Sequence, residues 1–247
     1  MHAQHGADAP SNPGVLGPLH TRNFSVRYRH SALSDGQQRS WERLWPVLGM
    51  DITRIDPTKR LAPLDTRAWF HRDAPVVLEI GCGSGTSTLA MAKDEPDLDV
   101  VAVEVYQRGL VQLLCAIERD GVDNIRLVRG DAYDVLDQLF GPASLTGVRV
   151  FFPDPWPKAR HHKRRFLQPV TLAMIADRLR PGGVLHAATD HADYAEQIAE
   201  VGDAEPLLRR VEHGEDLPIS VARPTTKYEA KGRDAGSAIN EFVWVRR

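Results

Sequence analysis

Six short apolar runs, separated by stretches of helical periodicity, constrain this chain more than anything else in it. The runs cover 76–80, 100–105, 125–128, 148–152, 184–188 and 242–245. Helix-like sequence lies between several of them, at 107–119 and 170–179. Strands alternating with helices indicate βαβ units and a mostly parallel sheet. Near-continuous apolar runs, rather than strict alternation, suit strands covered on both faces. In such sheets ligands sit beyond the carboxyl ends of the strands, so the residues that close each run are the ones to inspect.

Composition narrows the class. With 31 basic and 33 acidic residues among 247, the net charge is −2, and 42% of the chain is hydrophobic. That is the balance of an ordinary folded protein and excludes wholesale disorder. Two cysteines, neither in a paired spacing, make no disulfide scaffold and no metal site, and fit a reducing compartment. No apolar run approaches the roughly 20 residues of a membrane helix. The N-terminus, MHAQHGADAPSNPGVLGP, lacks the pattern of a secretory leader. The expected location is the cytoplasm.

Residues 1–20 read as a disordered tail and 21–70 as an N-terminal arm and helix. The arm carries Arg22, Arg27 and Arg29 interleaved with Phe24 and Tyr28. Either a solvated segment or a phosphate contact fits that pattern. In the helix expected at 35–48, Trp41, Leu44, Trp45 and Leu48 share a face, which marks core. Residues 71–247 form the main domain.

The first run closes on Glu79-Ile80-Gly81-Cys82-Gly83-Ser84-Gly85-Thr86. Gly81, Gly83 and Gly85 permit a tight turn and close backbone approach to a ligand, with a helix starting near Thr86. The dinucleotide spacing GxGxxG is not met, which weakens a nicotinamide dehydrogenase reading. Glu79 is unwelcome beside a pyrophosphate and welcome beside a cation. Glu104 closes the second run, where an acid can hold ribose hydroxyls. Asp131 closes the third, within reach of an adenine amino group. Each acid alone would pass as a helix cap or loop residue. Together they suit a ligand with adenine, ribose and a positive centre. This part of the chain resembles the class I S-adenosylmethionine-dependent methyltransferases. The resemblance implies an α/β, Rossmann-like fold: a seven-stranded, mostly parallel sheet with helices on both faces and the last strand antiparallel. It also implies S-adenosyl-L-methionine as cofactor and S-adenosyl-L-homocysteine as product, with Glu79 near the methionine end, Glu104 on the ribose and Asp131 by the adenine.

The fourth run leads into Phe152-Pro153-Asp154-Pro155-Trp156-Pro157-Lys158. Three prolines stiffen this loop around a carboxylate. The eight residues from 158 to 165 then hold five Lys or Arg, two His and no acid. A cation run at a helix start opposes the macrodipole, and RNA phosphate would account for it. A balanced chain can thus still carry a basic patch. With Thr189-Asp190-His191-Ala192-Asp193-Tyr194 and Arg223-Pro224-Thr225-Thr226-Lys227-Tyr228-Glu229, the stretch closely resembles the bacterial tRNA (guanine-N7)-methyltransferase family, often called TrmB. Ser237-Ala238 stands where some members carry His-Gly.

That resemblance implies methyl transfer to N7 of guanosine 46 in the tRNA variable loop. It implies Asp154 as the catalytic residue and as a cofactor-binding residue with Glu79, Gly81, Gly83, Gly85, Glu104 and Asp131, and it implies Lys158, Asp190, Thr226, Lys227, Tyr228 and Glu229 as substrate-binding residues. Arg160, His161, His162, Lys163, Arg164 and Arg165 are expected to contact RNA. No metal and no obligate protein partner is implied, and the chain is expected as a monomer or homodimer. Two alternatives stay open: a methyltransferase with a non-tRNA acceptor, and a non-catalytic RNA-binding protein on the same fold.

Overall fold

The computed structural model describes residues 32–53, 59–224 and 238–247. The tail and arm at 1–31, the predicted site residues Thr226, Lys227, Tyr228 and Glu229, and the Gly236-Ser237 turn lie outside them.

Along the described residues the order is α1 (Asp35–Leu48), β1 (Gly49–Asp51), α2 (Thr66–Phe70), β2 (Val76–Ile80), α3 (Thr86–Asp94), β3 (Asp99–Glu104), α4 (Gln107–Asp120), β4 (Ile125–Arg129), α5 (Ala132–Gln138) and β5 (Leu145–Phe151). A 3-10 helix (Ala159–Arg164), α6 (Pro169–Arg178), β6 (Leu179–Thr189), α7 (Ala192–Ala204), β7 (Leu208–Arg210) and β8 (Asn240–Arg246) follow. The strands form one sheet in the order β1-β4-β3-β2-β5-β6-β8-β7. All pairs from β1 to β6 are parallel, and β8 runs antiparallel between β6 and β7.

Seven of these strands make the expected sheet, and β1 adds an eighth at its edge. β1 pairs Gly49, Met50 and Asp51 with Leu127, Val128 and Arg129. It comes from the stretch that the sequence sets apart as arm and helix. Three residues are too few to show a strand pattern, so only the pairing reveals it. The capping box of α1, in which Ser34 and Gln37 each bond the other's backbone N–H, fixes where that helix starts. Trp41 and Trp45 stack at 4.1 Å between ring centroids and, with Leu44 and Leu48, pack on the core. β6 begins at Leu179, earlier than its apolar run. Exposed Pro181 and Gly182 and buried Gly183 lie in a register shift against β5, so the sequence shows the stretch as a turn.

Alternate residues of the strands feed two faces. Leu78, Ile80, Val148, Val150, Leu185 and Ala187 join α5, α6 and α7 in one cluster. Val100, Ala102, Ile125 and Leu127 join α3 and α4 in another. This double covering is why the runs are apolar throughout. It also forces every polar side chain at a strand end either to find a partner or to face a ligand.

Candidate active site

Glycine builds the loop between β2 and α3. Gly81, Gly83 and Gly85 have φ of 74°, 56° and 75°, in the left-handed region that other residues enter at a cost. A Cβ on Gly81 or Gly83 would meet nothing within 4 Å, so both positions border open space. A Cβ on Gly85 would lie 2.5 Å from the Leu113 side chain, so that glycine serves close packing of loop on helix. Gly109, in the first turn of α4, is a residue the sequence reading missed. Its Cβ would stand 2.2 Å from the Gly83 carbonyl, so the loop needs a glycine there too. An isolated glycine inside a helical pattern was the available signal.

The three acids stand at or beside successive strand ends of this sheet, each held differently. Glu79 is 3% exposed. Oε1 accepts from Thr88 Oγ1 at 2.9 Å, while Oε2 is buried with no partner among the described residues. Burial raises its pKa to about 7, against the smaller lowering effects of the Thr88 bond and Arg149. Glu104 accepts from the backbone N–H of Gly83 at 3.0 Å, Val105 at 2.7 Å and Tyr106 at 3.0 Å. It thus ties the glycine loop to the start of α4. Asp131 caps α5 and accepts from Tyr133 N at 2.8 Å. The capping role and a ligand role are compatible, because a carboxylate has about four acceptor sites.

These residues fit S-adenosylmethionine. The orphaned Glu79 oxygen wants a donor or a cation, two glycines leave room for a backbone-hugging ligand, and Glu104 and Asp131 supply acceptors further along the same edge. A concavity of about 500 Å³ lined by Ser84, Thr86, Leu89, Gln112 and Arg119 opens beside the loop but contains none of the acids, so the fit rests on the strand ends. Among the described residues no cluster of His, Cys, Asp and Glu could hold a metal.

The loop after β5 is built differently. Phe152 and Trp156 both take positive φ, 50° and 44°. Bulky side chains pay of order 1–3 kcal/mol for such a conformation, and it persists only where the surroundings impose it. Phe152 N–H donates to the Ala188 carbonyl at 2.8 Å, which anchors one end of the loop to β6. Asp154 lies between the two left-handed residues. It is exposed and makes no hydrogen bond or ion pair among the described residues. Asp190, at the end of β6, is exposed as well.

The basic run divides. Lys158, Arg160 and Lys163 are exposed, and His161, His162 and Arg164 are half-buried. The Arg164 guanidinium lies 5.0 Å from the Trp156 ring centroid, and the His161 ring meets that indole edge-on at 5.9 Å. The Trp156 indole therefore has a cation over one face. Desolvation and the neighbouring cations of Arg164, Arg160, Lys158 and Lys163 lower the His161 pKa. Arg165 departs from the expectation that it contacts RNA. It is 1% exposed and turned inward, so phosphate cannot reach it.

Comparison with known proteins bears on this arrangement. Residues 73–242 match the family described as "Putative methyltransferase". A tRNA (guanine-N(7)-)-methyltransferase of Mycolicibacterium paratuberculosis (strain ATCC BAA-968 / K-10) is 65% identical over 253 residues, covering 100% of this chain and 98% of that protein. One of Mycobacterium leprae (strain TN) is 62% identical over 228 residues, 92% of this chain and 98% of its own. Among solved structures, the aminoglycoside resistance methyltransferase NpmB1 superposes with a TM-score of 0.50 at 17% identity, covering 76% of this chain and 95% of that one. At that identity the likeness shows the fold alone.

Proposed function

The chain belongs to the tRNA (guanine-N(7)-)-methyltransferase family, and from that premise we propose that it methylates N7 of guanosine 46 in the tRNA variable loop with S-adenosylmethionine as donor. The observation that carries this reading is the pairing of a glycine-built edge bearing Glu79, Glu104 and Asp131 with an exposed carboxylate, Asp154, beside a basic patch.

When bound, S-adenosylmethionine supplies an electrophilic methyl group on a cationic sulfur. Glu79 would hold the positive end of the cofactor, Glu104 the ribose hydroxyls and Asp131 the adenine amino group. Guanine N7 has a lone pair and no proton to lose, so the protein needs no strong general base. Its task is to align the base and exclude water. Asp154 accepts from the guanine N1–H and exocyclic amino group. Those charge-assisted bonds orient the ring and strengthen as it turns cationic. Lys158 and Asp190 flank the base, while Arg160, Lys163 and the half-buried His161, His162 and Arg164 lie along the RNA backbone. Thr226, Lys227, Tyr228 and Glu229 complete the substrate side in this reading. The partner is tRNA and the working compartment the cytoplasm; no described helix is long and apolar enough to cross a membrane.

The test is methylation of unmodified tRNA transcripts, with nuclease digestion and nucleoside mass analysis. The expected product is 7-methylguanosine, lost when the variable-loop guanosine is replaced. A different methylated nucleoside, or none from a protein that binds the cofactor, overturns the reading.

A further inference from the structure

Arg165 ends the basic run yet is 1% exposed, and each of its three guanidinium nitrogens has a partner. Nε donates to the Pro155 carbonyl at 2.8 Å. Nη1 donates to Gln197 Oε1 at 2.6 Å, and Nη2 meets Asp193 and, at 3.1 Å, His162 Nε2. The cation also stacks 4.8 Å from the Tyr194 ring centroid. Asp193, Tyr194 and Gln197 all lie on α7, whose hold on the region is reinforced where Tyr194 Oη accepts from Leu167 N–H at 2.9 Å. The Arg165 bond lowers the Asp193 pKa.

Burying a guanidinium is costly unless its donors are matched, and here the matches come from the loop carbonyl of Pro155, from Asp193 and Gln197 on α7 and from His162 of the 3-10 helix. One of them is the carbonyl of Pro155. That carbonyl belongs to the peptide that leads into Trp156, whose φ of 44° requires external support. Phe152 N–H on the Ala188 carbonyl clamps the other end. Asp154 sits between these clamps and, among the described residues, has no contact of its own to fix it.

We propose that Arg165 is a positioning residue, which sets the Asp154 carboxylate by holding the Pro155 carbonyl against α7. The inference rests on the role given to Asp154 above. A lysine keeps the charge but has no planar fork to serve loop and helix together.

The experiment is a kinetic cycle of wild type, Arg165→Lys, Asp154→Ala and the double variant, with kcat and tRNA KM measured at saturating S-adenosylmethionine and cofactor affinity by calorimetry. Arg165→Lys is expected to lower kcat roughly tenfold to a hundredfold, as a misplacement near 1 Å would. KM for tRNA and cofactor affinity should hold, and the kcat loss should vanish in the Asp154→Ala background. A raised KM at unchanged kcat would make Arg165 an RNA contact and overturn the proposal. So would an equal kcat loss in both backgrounds. Normal turnover by Asp154→Ala itself would instead overturn the reading of Asp154, and the proposal with it. Should Arg165→Lys fail to fold, Asp193→Asn enters the same cycle, with a smaller loss that must likewise depend on Asp154.

Discussion

The two halves of the strand-end surface are prepared for their ligands in opposite ways. On the β2–β4 side, Glu79 and Glu104 are tied to Thr88 and to three backbone N–H groups, and the glycine loop packs closely on α4. On the β5–β6 side, Asp154 and Asp190 stand exposed, and the order lies in the backbone beneath them. A cofactor common to every turnover favours a site preorganised in its side chains. A large RNA that brings its own shape needs only a rigid platform, with the last hydrogen bonds supplied by the substrate. In the proposed reading, the exposed carboxylate on strained backbone serves the reacting base, and the anchored acids, one of which keeps an open oxygen at Glu79 Oε2, serve the cofactor.

Asp154→Asn gives the sharpest break of that comparison. If the contrast is right, it lowers kcat about a hundredfold to a thousandfold, the scale for losing a carboxylate where charge develops. Calorimetry should find cofactor affinity unchanged. A loss of cofactor affinity with little change in kcat would put Asp154 on the other half.

Glu79→Gln should do the reverse, weakening S-adenosylmethionine by about tenfold or more with a smaller effect on tRNA binding. The pH dependence gives a second handle. Burial raises Glu79 from its ordinary 4.5 to about 7, so in the free protein it largely keeps its proton at pH 6. The unfolded chain releases that proton first, so this group lowers fold stability as pH rises from 4.5 towards 7. A cation beside Glu79 favours the carboxylate. Cofactor binding should therefore tighten as pH rises through this window and release a proton, and Glu79→Gln should remove both effects. Calorimetry in buffers of different ionisation enthalpy reads the proton directly. A pH-independent affinity in the wild-type protein would separate Glu79 from the cofactor.

Much of this was legible in the residues. The apolar runs mark the parallel sheet, and the rule that ligands sit beyond strand ends points to Glu79, Glu104, Asp131 and Asp154, which the fold sets at or just past the ends of β2, β3, β4 and β5. What escaped has physical reasons. A three-residue edge strand, Gly49–Asp51, carries no periodicity, and its identity exists only in its pairing with β4. Thr88 holds Glu79 across nine residues of sequence, a contact that only the fold creates. Arg165 misled because five cations in eight residues look alike in sequence. Which of them turns inward depends on Asp193 and Gln197, almost thirty residues or more downstream. Thr226, Lys227, Tyr228 and Glu229 lie outside the described residues, and their assignment rests on resemblance.

The smallest expected effect tests the boundary within the basic run itself. Lys163 is exposed, whereas Arg165 is buried, though two positions separate them. If Lys163 meets a phosphate, Lys163→Ala should weaken tRNA binding only a few-fold and reduce the slope of log affinity against log salt by about one. The turnover of bound tRNA should not change, because a backbone contact positions the whole RNA and not the guanine ring. Arg160→Ala should behave alike, and the two losses should add, since exposed cations on separate phosphates act independently. Arg165→Lys should leave the slope untouched, because a cation held between Asp193 and the Pro155 carbonyl displaces no counterion when RNA binds. Equal slope changes at positions 163 and 165 would mean that the run acts as one electrostatic surface, and the division drawn between its exposed and buried members would fall.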